Sequence, residues 1–171
     1  GRWDGVPLMA YKQVDAAPFK DVSRQVLFAD ADLACEWRYF EVEEGGYSTL
    51  ERHRHVHAVM IHRGNGRCLV GDTISSVAAG DLVFIPPMTW HQFRADAGDC
   101  LGFLCVVNAA RDRPQLPGPD DLAELRRDQH PTVQKDFAYL GFPTQLQTPT
   151  SLYMLYPVGR PKTQAPLGKM P

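Results

Sequence analysis

Through the middle of the chain, short apolar runs alternate with clusters of Gly, Pro, Asn and Asp. Residues 35–42 (C-E-W-R-Y-F-E-V) are rich in aromatics and alternate in part, a strand pattern. Residues 43–48 (E-E-G-G-Y-S) read as a turn, and residues 50–61 as a second strand. Residues 63–66 (R-G-N-G) carry a tight hairpin signal, after which 67–70, 73–77, 82–85, 90–95 and 100–108 read as further strands. About eight short strands in such a span predict an all-β barrel or sandwich. On either side the rhythm fades. Residues 1–34 form an N-terminal arm in which 22–28 is a strand or one helical turn, with Val26, Leu27 and Phe28 on an outer sheet face. Residues 114–119 (P-Q-L-P-G-P) mark a boundary, and 120–129 predict a helix with acidic residues first and basic ones after, in keeping with the helix dipole. Leu122 and Leu125 give that helix a narrow apolar face, and residues 151–158 read as an added strand before a loose tail. The expected organisation is thus an arm (1–34), a barrel (35–113) and a C-terminal helix and tail (114–171) packing on the barrel.

Composition narrows the classes of partner. The 171 residues suffice for one domain with its own core, and 44% hydrophobic with 22% charged residues is a globular balance. A formal net charge of -2 supplies no basic footprint for nucleic acid or an anionic membrane surface. No apolar run approaches the ~20 residues of a transmembrane helix. The N-terminus lacks the positive-then-apolar pattern of an export signal. Cys35, Cys68, Cys100 and Cys105 form no C-x-x-C pair and are expected to be reduced thiols in a cytoplasmic protein. The arm and the exposed sheet edges lead us to expect a homodimer.

The candidate chemistry is concentrated in residues 51–62, E-R-H-R-H-V-H-A-V-M-I-H, which hold four of the six histidines. On an extended strand Glu51, His53, His55 and His57 share one face, because successive side chains point to opposite sides. One carboxylate and three imidazoles crowded together are seldom buried without a partner, and a metal cation is the obvious one. His62 has the opposite parity and is expected on the outer face. In the strand at 100–108, alternation puts Leu101, Phe103 and Cys105 on one face. Three nitrogens and one carboxylate with no thiolate suit a divalent ion that polarises substrate oxygens, Mn²⁺ or Fe²⁺ first, with Ni²⁺ and Zn²⁺ also compatible.

Two segments, 45–66 (G-G-Y-S-T-L-E-R-H-R-H-V-H-A-V-M-I-H-R-G-N-G) and 80–93 (G-D-L-V-F-I-P-P-M-T-W-H-Q-F), together resemble the cupin superfamily. The resemblance implies a double-stranded β-helix, or jelly-roll barrel, around a metal. The second cupin motif ends in Gly, Pro and His, matched here by Gly80, Pro86 and His91. Met88 replaces the motif's usual glycine, so that turn is expected to differ in shape. The first motif has two ligands one residue apart, a third a few residues on, and then a glycine hairpin. Starting it at His53 and His55 would put the third ligand at Val59 or Met60, neither of which can serve. Counting back from Gly64 makes His57 the third ligand, His53 the second and Glu51 the first. The metal set implied is therefore Glu51, His53, His57 and His91. His55 is then a ligand in Glu51's place, or a group that supports the ligands or faces the substrate.

More narrowly, R-W-D-G-V-P, S-T-L-E-R-H-R-H-V-H, P-P-M-T-W-H-Q-F and L-G-F-L-C-V-V-N resemble bacterial cupins of the methylthioxylulose 5-phosphate methylsulfurylase type, which act in methylthio-sugar (methionine) salvage. This likeness covers roughly residues 2–113. It implies a substrate, 1-methylthio-D-xylulose 5-phosphate, whose ketone and neighbouring hydroxyl the metal chelates as a Lewis acid, stabilising an enediolate. Cys105 would attack the methylthio sulfur, giving 1-deoxy-D-xylulose 5-phosphate and a methyl disulfide that glutathione releases by thiol exchange. His55 is the expected proton carrier, since imidazole exchanges protons near neutral pH. Arg38, Arg94 and Lys12 are candidates for the phosphate. The competing readings are another cupin enzyme, a sugar-phosphate isomerase or an Fe²⁺ dioxygenase, and a non-enzymatic cupin that binds a metal or small ligand.

Overall fold

Every second residue of the strand that ends the barrel is buried: Leu101, Phe103, Cys105 and Val107 all face the core, as alternation requires. The structure, a computed structural model, describes residues 3–13, 17–127 and 156–157. Its elements are β1 (Met9–Ala10), β2 (Lys20–Ala29), β3 (Cys35–Tyr47), β4 (His57–Val70), β5 (Thr73–Ala78), β6 (Asp81–Ile85), β7 (His91–Ala95), β8 (Leu101–Asn108), α1 (Pro119–Arg127) and β9 (Tyr156–Pro157). All pairings are antiparallel. β3 pairs with β8, β8 with β4, β4 with β7, and β7 returns to β3 through Tyr47 and Arg94, which closes the barrel. Inside it Phe40 stacks on Phe103 and Phe103 on Phe93, with ring centroids 5.3 and 4.4 Å apart.

Between residues 35 and 108 there are six strands, fewer and longer than the eight expected. Two glycine-rich stretches that read as reversals are bends within a strand. β3 runs on through 43–47. β4 runs on through 63–66 and changes neighbours there, pairing with β6 and β8 up to Gly64 and with β5 and β7 from Asn65 onward. Gly64 has a positive φ of 73°, and a Cβ there would run into the Cys100 carbonyl oxygen. At Gly66 a Cβ would strike the Arg94 carbonyl. These glycines therefore allow two sheets to meet at a corner, and the hairpin expected at 63–66 does not form. A register shift between Ile61 and Arg63 turns His62 outward, onto Trp3 and Tyr39.

The histidine stretch also departs from expectation. β4 begins only at His57, and residues 51–56 form an irregular loop instead of a strand. That loop is stitched down by backbone bridges from Glu51 to His91 and from Arg52 to Gln115. Residues 22–28, expected as a strand or a helical turn, are strand: β2 pairs along β3 from Val22↔Val42 to Ala29↔Glu36. Phe28 is exposed on its outer face, beside Trp37. Buried Gln25 on β2 donates to the carbonyls of Trp3 and Val6 and so ties the N-terminal segment to the barrel.

α1 lies over the second core, where Leu122 and Leu125 pack on Leu50, Leu69 and Trp90. The Arg52 guanidinium sits 4.3 Å from the Trp90 ring centre and 3.6 Å from Asp121. Of the strand expected at 151–158, Tyr156–Pro157 pairs with Asp81 and Leu82; the remainder lies outside the described residues, as does His130. No described helix is long and apolar enough to cross a membrane.

The second turn is built around Met88. It adopts the left-handed conformation, φ 54°, that glycine would take, and its N–H donates to the His53 carbonyl at 2.6 Å. Met88 therefore holds a conformation that favours glycine, at a backbone cost of about 1–2 kcal/mol. Met88→Gly is expected to gain up to about 1 kcal/mol, because glycine's own entropy loss offsets part of the relief. A thermal melt should show a midpoint raised by roughly 2–4 °C; a lowered midpoint would show that Met88's side-chain contacts outweigh the strain.

Candidate active site

The two histidine-bearing segments meet at one end of the barrel. Glu51 and His91 exchange backbone hydrogen bonds of 3.2 and 3.0 Å, and Met88 anchors His53 from the other side. His57 opens β4 and His91 opens β7, so both project inward from strand starts. One donor atom from each of His53, His57 and His91 lies within 4.8 Å of the others, and all three residues are buried. His53, His55 and His57 do converge, but by the fold of the 51–56 loop and not by strand parity. The His53 and His55 rings stack with centroids 3.7 Å apart, and those of His53 and His57 at 4.4 Å.

Hydrogen bonding sorts the ring nitrogens. His53 Nδ1 faces the His55 carbonyl at 2.8 Å, and His91 Nδ1 faces that of Thr89 at 3.0 Å. A carbonyl can only accept, so each Nδ1 carries the proton and each Nε2 keeps a free lone pair. The Nε2 atoms of His53 and His57 are buried with no hydrogen-bond partner among the described residues. Buried orphan acceptors of this kind are rare, and a cation would satisfy them. Burial, then the charge that His55 would bring, depresses the His53 pKa to about 4. Burial depresses that of His91 to about 3. His57 is pushed down further by burial and by the neighbouring His91 and His53. All three imidazoles are neutral at pH 7, the form a metal needs.

Glu51 stands beside this group but is differently engaged: its carboxylate is paired with Lys12. His55 Nδ1 lies 2.8 Å from Asp112 Oδ1, and the same carboxylate accepts the backbone N–H groups of Arg54 and His55. Those backbone donors, then the His55 side chain, hold the Asp112 carboxyl well below its usual range. Cys105 Sγ is 3.4 Å from His57 Nδ1 and 3.7 Å from Arg38 Nη2. Burial raises the thiol's pKa and Arg38 opposes the rise. A cavity of about 240 Å³ joins these groups, lined by the histidines, Glu51, Cys105, Phe93 and Phe103. That volume is of the order that a small metabolite fills.

Residues 38–107 match the Cupin domain family. The chain is 60% identical over 127 residues, 74% of its length and 81% of the relative's, to a protein of Rhodospirillum rubrum named 1-methylthio-D-xylulose 5-phosphate methylsulfurylase. The chain is a cupin. Among solved structures, it is similar to a cupin 2 conserved barrel domain protein from Rhodopseudomonas palustris, with 83% identity and a TM-score of 0.71 over 74% of this chain and 88% of that one. It is also similar to Rru_A2000 from Rhodospirillum rubrum, a cupin-2 domain, with 56% identity and a TM-score of 0.73 over 82% and 90% of the two chains.

Of the phosphate candidates, Arg38 and Lys12 line this cupin's cavity and Arg94 does not. Sequence reasoning missed Arg24, Arg111 and Asp112, which line it as well. Arg111 and Asp112 follow β8 in A-A-R-D-R, where the one signal is a lone acid between arginines. Arg24 lies in the segment read as an arm, and no motif marks it.

Proposed function

We propose that this cupin removes the methylthio group of 1-methylthio-D-xylulose 5-phosphate, with a divalent metal held by His53, His57 and His91. Glu51 would join as a fourth donor once Lys12 releases it. The observation that carries the reading is the Cys105 thiol lying 3.4 Å from His57, a member of the imidazole group. The name of the 60% identical relative supports the substrate. The bound metal would polarise the substrate ketone as a Lewis acid; Mn²⁺ or Fe²⁺ suits a nitrogen- and oxygen-donor set without thiolate.

The chain's own groups supply the rest. With Nε2 engaged, His57 keeps its proton on Nδ1 and faces Sγ as a donor, as does Arg38. Two donors around one sulfur favour the thiolate, against the burial that disfavours it. The thiolate forms a bond to the methylthio sulfur as the bond from that sulfur to C1 breaks. The electron pair passes into the C1–C2 enolate, and the proton that Cys105 gave up, carried by His55 as the imidazolium with Nδ1 held by Asp112, goes to C1 and completes 1-deoxy-D-xylulose 5-phosphate. Cys105 is left as a methyl disulfide. Glutathione attacks it, regenerates the thiol and leaves as its own methyl disulfide, so sulfur oxidation balances carbon reduction. Asp112 fixes the tautomer and direction of His55 by holding Nδ1.

The test is turnover of the methylthio sugar phosphate with glutathione, following 1-deoxy-D-xylulose 5-phosphate and the mixed disulfide by mass. Asp112→Asn is expected to lower kcat about 10- to 100-fold with metal content retained, since His55 would lose its orientation. A purified wild type that leaves the sugar unchanged overturns the reading.

A further inference from the structure

Three arginines from separate parts of the chain converge on the cavity wall beside Cys105: Arg24 on β2, Arg38 on β3 and Arg111 just after β8. They come together because β2, β3 and β8 are adjacent antiparallel strands. Glu36 is the carboxylate that Arg38 and Arg111 share. Arg111 Nη2 reaches both its oxygens at 3.1 Å, and Arg38 Nε stands 3.6 Å from one of them. Asp112 lines the same cavity, so three guanidinium groups face two carboxylates, Glu36 and Asp112, and one positive charge is in excess. Lys12 adds nothing to that excess, being paired with Glu51.

Two of the three guanidinium groups have an underused donor, while Arg111 donates to the Asn108 and Ala109 carbonyls as well as to Glu36. The Nε atoms of Arg24 and Arg38 are both buried without a hydrogen-bond partner among the described residues, and Arg38 as a whole is only 8% exposed. Burial and then the charge of Arg38 push the Arg24 pKa down, and Glu36 opposes the fall. Leaving a buried charged donor unpaired is costly, and a cavity wall with this character is complementary to a compact dianion. A phosphomonoester carries about -1.5 to -2 charges at neutral pH and offers three acceptor oxygens. Arginine's planar fork matches that geometry better than a lysine would.

We propose that Arg24, Arg38 and Arg111 form the subsite that holds the phosphate of the substrate, a proposal that rests on the sugar-phosphate reading above. β2 is then part of the active site, because it carries Arg24. Arg38 lies between subsite and nucleophile, with one nitrogen toward the Cys105 sulfur and its Nε edge toward Glu36 and Arg111. Phosphate seating and thiol placement therefore share one side chain.

The test compares 1-methylthio-D-xylulose 5-phosphate with its phosphate-free counterpart in the wild type, Arg24→Gln, Arg111→Gln and Arg24→Lys, with inorganic phosphate as a competitor and as a calorimetric ligand. Arg111 is exposed and Arg24→Lys keeps the charge, so a misfolded Arg24→Gln would not block the comparison; thermal melts check each variant. Each Gln variant is expected to lose about 10- to 100-fold in kcat/KM for the ester, mostly through KM. The ester's advantage over the phosphate-free sugar should shrink by the same factor, inorganic phosphate should bind more weakly, and Arg24→Lys should recover part of the loss. A loss falling equally on both sugars overturns the proposal, as does unchanged phosphate binding in the variants or none in the wild type. Phosphate binding that the Gln substitutions weaken, in a protein inert toward the methylthio sugar, would keep the anion subsite and sink the reaction. Normal turnover with an unchanged KM in the variants would do the reverse.

Discussion

His57→Ala is expected to lose its metal, while His55→Ala keeps it. His57 is buried at the start of β4, and its Nε2 has no hydrogen-bond partner among the described residues. Its removal leaves two imidazoles, His53 and His91, beside a Glu51 carboxylate already engaged by Lys12. Loss of a residue that only supports a ligand costs 10- to 100-fold in metal affinity, so loss of a ligand should exceed about 100-fold. His55 differs because its Nδ1 is committed to Asp112. The measurement is metal content by mass spectrometry on protein purified without a histidine tag, with added-metal thermal shifts alongside. In the wild type and His55→Ala a bound ion should raise the melting midpoint; in His57→Ala the shift should vanish. His57→Ala also removes an unsatisfied buried acceptor, so the metal-free variant should not be grossly unfolded. Full metal content in His57→Ala would sink the ligand assignment.

The second large effect belongs to Cys105→Ala. A thiol that forms the bond to the leaving sulfur cannot be replaced by a methyl group, and loss of a covalent nucleophile commonly costs 10³-fold or more. Turnover of the methylthio sugar phosphate should fall by at least about that factor with metal content unchanged. Cys105→Ser should be nearly as slow, because a hydroxyl is a much weaker nucleophile toward sulfur. Burial raises the Cys105 pKa, so the thiolate depends on the donors around it. Reaction of the wild type without glutathione should trap a protein mass increased by one methylthio group, lost on adding a thiol and absent from the alanine variant. Wild-type rates in Cys105→Ala would point to chemistry that needs the imidazole group alone, such as an aldose–ketose isomerisation.

The two routes to the histidine assignment have different standing. Strand parity put Glu51, His53, His55 and His57 on one face, yet residues 51–56 are not a strand. Counting back from Gly64 nevertheless singled out His57, although Gly64 marks a corner in β4 and not a hairpin. Glycine spacing reports where backbones must approach closely, which local pattern can reveal. It does not say whether the chain reverses or bends there, since that depends on which strands lie alongside.

The sequence by itself determined the all-β class, the face of β8 with Cys105 upon it, and the gathering of His53, His57 and His91 in two short segments. The class and the shared face of Leu101, Phe103 and Cys105 follow from side-chain alternation, which acts over a few positions, and the grouping of the three histidines from the likeness to the two cupin motifs. The tertiary structure alone brought Lys12 to Glu51, Asp112 to His55, and Arg38 and Arg111 to Glu36. The first two of these contacts join residues 39 and 57 positions apart, and Arg111 reaches Glu36 across 75. They exist because antiparallel strands remote in sequence become neighbours when the barrel closes. No periodicity in one chain encodes that adjacency, so the proposed metal donors could be named from the sequence and the partners of Glu51 and His55 could not.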